Sequence, residues 1–136
     1  MAAAVPSVDS AAAGANVRVR EFLKGSSKQL LIGGKWVAAR SGKTFETINP
    51  ANEEVLGLVA EGDKADVDDA VRAARNAFDS GKWPSMGPHQ RARYLFKIAD
   101  LIEANADELA ELITLDNGKP IGESIIEVGR TAETFR

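Results

Sequence analysis

Few side chains in this sequence could make or break bonds. There is one histidine, His89, and no cysteine. A general base needs a nucleophile within reach. His89, beside Gln90 and Arg91 in the first turn of an expected helix, reads instead as solvated surface. Without cysteine these residues can build no thiolate nucleophile, no thiolate zinc site and no disulfide framework. A single histidine also excludes a multi-histidine metal site. Asp63, Asp66, Asp68 and Asp69 are crowded together. They lack the alternating ligands, central glycine and distal glutamate of a calcium loop, and they open an amphipathic segment. Capping and the helix dipole explain them.

Neither G-x-G-x-x-G nor G-x-x-x-x-G-K-[ST] occurs. Gly118-Lys119 is followed by Pro120, so this glycine reads as a helix stop rather than a phosphate loop. Asp116 is the more informative acid. It sits in Thr114-Leu115-Asp116-Asn117-Gly118-Lys119-Pro120, where an expected helix ends, and a carboxylate there opposes the helix dipole. Lys119, backbone donors in an Asx-type turn, or a bound cation would each resolve that conflict. Trp36 and Trp83 have no obvious basic surface beside them and read as core or interface rather than as base-stacking platforms.

The elements that would position these groups are legible in outline. Val17 to Leu23 is a short helix that needs a surface to dock on. Gln29–Ile32, Gly33-Gly34 and Lys35–Ala38 form a hairpin with a tight primed turn. Thr44–Ile48 and Glu54–Ala60 are strands joined by a turn at Pro50-Ala51-Asn52-Glu53. Four helices follow. The first is capped by Asp63 with Asp66, carries Val67, Ala70, Val71, Ala74 and Phe78 on one face, and stops at Gly81. The second begins at Pro88 and presents Leu95, Ile98, Ala99 and Ile102. The third opens with an Asn105/Glu108 capping box, carries Leu109, Leu112 and Ile113, and ends at Gly118. The fourth starts at Pro120 with the stripe Ile121, Ile125, Val128, Ala132 and Phe135, still running at Arg136. That stripe and the unclosed strands read as a domain cut short.

The 136 residues carry 17 Lys+Arg against 20 Asp+Glu, a net charge of -3, which argues against a nucleic-acid binder. Hydrophobic residues at 44% and charged residues at 27% are those of a globular protein. No stretch is long and apolar enough to cross a membrane. Residues 1–16 are mostly alanine with Ser, Pro and Gly, and read as a floppy leader without a secretory signal.

Taken in order, Ile32-x-Gly34-x-Trp36-Val37, Ser41-Gly42-x-x-Phe45, Asn49-Pro50-Ala51, Asp66-Val67-x-x-Ala70-Val71-x-Ala73-Ala74-x-x-Ala77-Phe78, Trp83, Arg91-x-Arg93, Leu109-Ala110 and Thr114 to Pro120 form a series. It resembles the N-terminal portion of the NAD(P)-dependent aldehyde dehydrogenase superfamily, from about Gln29 to Arg136. The resemblance implies an α/β fold in which strands and a hairpin followed by about four helices form part of a larger Rossmann-like cofactor domain. Residues 1–28 would be a leader with a short helix, and 29–136 the incomplete N-terminal part of that domain.

The same resemblance implies oxidation of an aldehyde to a carboxylic acid with NAD or NADP in a cytoplasmic homodimer or homotetramer. The chemistry would run through a thiohemiacetal and thioester on a cysteine downstream of the matched part, with no catalytic or cofactor-binding residue in this stretch. Two sets of residues are implied to have roles. The Asp116 carboxylate and the backbone carbonyls of Thr47 and Ile48 would hold a monovalent cation, K+ or Na+. Ile126 and Arg130, on a helix lining the substrate entrance in the family, would influence which aldehyde enters, although Ile126 reads equally as plain core. The reading from another class is a free-standing helical interaction module without catalysis.

Overall fold

The computed structural model describes residues 8–136. The order is α1 (Val8–Ala11), α2 (Val17–Lys24), β1 (Leu30–Ile32), β2 (Lys35–Val37), β3 (Thr44–Asn49), β4 (Glu54–Ala60), α3 (Lys64–Ser80), α4 (Pro88–Ala104), α5 (Ala106–Asn117) and α6 (Ile121–Thr134). The class is mixed α/β, with two separate antiparallel pairs, β1–β2 and β3–β4.

Local chemistry accounts for most boundaries. Leu31 pairs with Trp36 across the first hairpin. Its turn places Gly33 and Gly34 at φ 59° and 77°, as a primed turn demands. Asp63 accepts from Ala65 N while Asp66 reaches back to Asp63 N, which closes a capping box at α3. Gly87 and Pro88 open α4, and Gly118 ends α5 in the left-handed conformation.

The expected Asn105/Glu108 capping box does not form. Asn105 makes no side-chain cap for α5; its Nδ2 donates to Leu101 O, 2.7 Å away, at the C-terminus of α4. Glu108 is taken by Arg18 Nη1 at 2.6 Å. A cation from another element outcompetes a neutral backbone donor for that carboxylate.

The core differs from the sequence reading at two places. Ala11 and Ala12, placed by sequence in the floppy leader, are buried beside Val19, Leu23 and Leu56, with Ala15, Leu112 and Leu115 against them. Residues 1–7 of that leader lie outside the described residues. Asn49 fixes α1 by donating from Nδ2 to Ala11 O at 2.8 Å, and accepts from Ala51 N at 2.9 Å. Small alanines let the chain approach β4 closely, a packing role that composition does not signal.

The expected core faces of the long helices are mostly uncovered. Val67, Val71 and Phe78 of α3 are exposed. On α6 the buried stripe is Ser124, Val128 and Ala132, spaced i, i+4, i+8, while Ile121 and Ile125 face outward. Ser124 is drawn in by Thr114, their hydroxyls 2.9 Å apart.

Candidate functional site

The residues singled out from sequence gather where β3 passes the C-terminus of α5. Thr47 Oγ1 donates to Asp116 Oδ1 across 2.6 Å, between residues 69 apart in sequence. The β3–β4 ladder slips at this place, since Thr47 pairs with Gly57 and Ile48 with Val55. Leu56 is therefore the extra residue of a bulge, and it is fully buried. A bulge interrupts the ladder hydrogen bonds locally, here beside the carbonyls of Thr47 and Ile48.

Asp116 is positioned from the helix side as well. Gly118, at φ 76°, returns its N–H to Thr114 O at 2.9 Å. Asn117 Oδ1 accepts from Lys119 N at 2.9 Å, so the Asx-type turn belongs to Asn117 rather than Asp116. Lys119 does not pair with Asp116: its ammonium meets Glu127 of α6. The structure spends the lysine elsewhere and gives Asp116 a hydroxyl donor, Thr47, which was not among the three expected ways to balance it against the dipole. A cavity of about 350 Å³ opens beside Thr47 and Asp116, walled by Leu23, Leu56, Leu112 and Leu115.

Lys28 also borders this cavity. Sequence reasoning passed it over, because one lysine near a strand carries no signal. Its backbone extends β4, accepting from Ala60 N at 2.8 Å and donating to Leu58 O at 2.7 Å. Its ammonium covers the end of α2, contacting Phe22 O and lying 4.3 Å from the centre of the Phe22 ring. Burial pushes its pKa below the ordinary lysine value.

Ile126 and Arg130, one turn apart on α6, line a second hollow of about 300 Å³ with Lys119 and Glu127. Ile126 is 47% exposed among the described residues. No residue lines both hollows. Ile48 is 48% exposed. The described residues contain no group of three or more His, Cys, Asp or Glu able to hold a metal ion. Any cation at Asp116 would therefore depend on carbonyl and hydroxyl oxygens, the donor set of a hard monovalent ion. No described helix is long and apolar enough to cross a membrane.

Residues 36–136 match the family model described as "Aldehyde dehydrogenase family". The chain is 54% identical over 109 residues to "Aldehyde dehydrogenase 1" of Tanacetum cinerariifolium, covering 79% of this chain and 22% of that protein. It is 47% identical over 109 residues to "Phenylacetaldehyde dehydrogenase" of Pseudomonas fluorescens, covering 79% and 22%. It superposes on an NAD+ complex of aldehyde dehydrogenase from Bacillus cereus with a TM-score of 0.84 at 46% identity, over 89% of this chain and 25% of that one. A betaine aldehyde dehydrogenase from Staphylococcus aureus in complex with NAD+ gives a TM-score of 0.82 at 38% identity, over 87% and 24%. The chain spans about a fifth of the length of the curated relatives it matches.

Proposed function

The chain belongs to the aldehyde dehydrogenase family, and from that premise we propose that it supplies the N-terminal part of the cofactor-binding domain of an enzyme oxidising an aldehyde to a carboxylic acid with NAD or NADP. The observation that carries this is the match of residues 36–136 together with superposition on NAD+ complexes at TM-scores above 0.8. The contribution of these residues is shape. The sequence holds no cysteine, so the thiolate that attacks the aldehyde would come from outside it. The apolar faces of α3 and α6 that stand exposed here support a role as packing surfaces for further structure. A free-standing interaction module is not supported, because the matched relatives are enzymes.

Asp116, with the carbonyls of Thr47 and Ile48, is our candidate for holding K+ or Na+. The donor set fits such an ion, and the bulge at Leu56 loosens the ladder where those carbonyls lie. Ile126 and Arg130 are our candidates for shaping the substrate entrance, supported by their shared hollow on α6. A homodimer or homotetramer follows from the family reading.

The reading is tested by assaying the purified 136-residue chain with NAD and a simple aldehyde. It is expected to give no turnover and to bind a hydrophobic dye at its exposed faces. Turnover by the chain itself would overturn the assignment of shape without chemistry.

A further inference from the structure

The loop from Gly81 to Gly87 folds back over the first turns of α4. Trp83 stands edge-on to Tyr94, with ring centres 5.9 Å apart at 63°. Arg91 Nη1 donates to Met86 O at 2.7 Å. Beside these contacts lies a cavity of about 300 Å³ lined by Met86, Gln90, Arg93, Tyr94 and Lys97. Gln90, Arg93, Tyr94 and Lys97 follow the spacing i, i+3, i+4, i+7 and form one stripe of the helix.

Each polar side chain in this stripe has a donor to offer. Gln90 Oε1 is already used in accepting from Gly87 N at 3.2 Å, which leaves its Nε2. Arg93 and Lys97 are cations, and the Tyr94 hydroxyl donates. No carboxylate lines the cavity. From Ser80 to Ala99 the sequence contains Lys82, Arg91, Arg93 and Lys97 but no aspartate or glutamate. Elsewhere cations have found carboxylates, as in Arg18–Glu108, Arg40–Asp69 and Arg75–Asp79. Arg93 and Lys97 have no ion-pair partner among the described residues. In a chain of net charge -3 this is a local reversal.

We propose that this cavity binds the terminal phosphate monoester of a small soluble molecule. Two cations and two neutral donors match the three oxygens and double charge of a phosphate better than a single carboxylate. The Trp83–Tyr94 pair beside the cavity gives the organic body an aromatic surface. The proposal requires neither aldehyde nor NAD and stands or falls apart from the dehydrogenase reading.

The test uses the chain carrying Trp36→Phe, so that Trp83 is the one remaining tryptophan. Phenyl phosphate is expected to change its emission saturably, with benzoate binding more weakly. Arg93→Gln with Lys97→Gln should raise the dissociation constant about tenfold or more, the usual worth of charge-assisted hydrogen bonds. Lys35→Gln with Lys43→Gln, two cations away from the cavity, should leave it unchanged. In the wild-type chain the Gln90 side-chain amide resonances should shift on adding inorganic phosphate, a readout that needs no variant. An absent response, an equal loss in the Lys35/Lys43 variant, or a response confined to phosphatidic acid vesicles would overturn the proposal.

Discussion

The Thr47 hydroxyl and the Asp116 carboxylate, 2.6 Å apart, tie the only bulged strand pair among the described residues to the C-terminus of α5. The contact supplies one donor to a carboxylate that faces the unfavourable end of a helix. If a monovalent cation completes that balance, thermal stability depends on the ion present at fixed ionic strength. The melting midpoint is expected to be higher in K+ or Na+ than in a bulky organic cation. Asp116→Asn should abolish that difference, and Thr47→Val should lower the midpoint in every salt, by the roughly 1 kcal/mol of one lost hydrogen bond. A difference between salts that survives Asp116→Asn would move the ion elsewhere.

Gly118 is held by two independent constraints. Its φ of 76° lies in the left-handed region, and a Cβ added there would sit 2.9 Å from Pro50 Cγ. The first costs an L-residue about 1–2 kcal/mol, and the second adds an overpacking cost of about 1 kcal/mol or more. Gly118→Ala should therefore shift the urea midpoint by the sum. In a double-mutant cycle, Pro50→Ala is expected to recover the steric part and leave the backbone part. Full recovery would show that the backbone conformation is not strained for alanine.

How much of this was legible in the sequence follows the range of each interaction. The turn at Gly33-Gly34, the Asp63/Asp66 box, the stop at Gly118 and the limits of α3 and α4 depend on neighbours within four residues, and the sequence predicts them. Asp116 was legible as a residue in electrostatic conflict, for the same reason. Its partner was not, because Thr47 is 69 positions away and a threonine in a strand looks like any other. Ala11 and Ala12 were misread since close approach to β4 rewards the absence of side chain, which composition scores as disorder. The stripe on α6 was misjudged because Ser124 is buried by one hydroxyl contact to Thr114, and a hydrophobic pattern cannot count that.

Glu53 has φ of 61°, the one non-glycine residue in the left-handed region among those described. That conformation costs about 1–2 kcal/mol, while glycine returns about 0.5–1 kcal/mol of entropy to the unfolded chain. The difference favours glycine by up to about 1.5 kcal/mol. Glu53→Gly is thus expected to raise the urea midpoint slightly, and Glu53→Val to lower it. A glycine variant clearly less stable than the parent would mean that the Glu53 side chain makes a compensating contact.

Acid sensitivity should originate in large part at Asp66. Its carboxyl is held below the ordinary aspartate range first by the Asp63 N–H and then by the Arg40 N–H, each 3.0 Å from one of its oxygens. A depressed folded-state pKa means that the unfolded chain binds more protons than the folded one in the window between the two values. The stabilisation is then complete above the unfolded value of about 3.9 and is lost as pH falls through the lower, folded value. Glu103 is depressed in the same direction by Arg136, and Asp79 by Arg75. Those partners are exposed ion pairs, which salt screens. The donors to Asp66 are backbone amides beside a residue only 4% exposed, and salt leaves them largely intact. At high ionic strength the urea midpoint should therefore stay flat from neutral pH to about 5 and fall below about 4. Asp66→Asn should be less stable at neutral pH yet show a shallower acid slope. Equal slopes in the two proteins would assign the acid transition to other carboxylates.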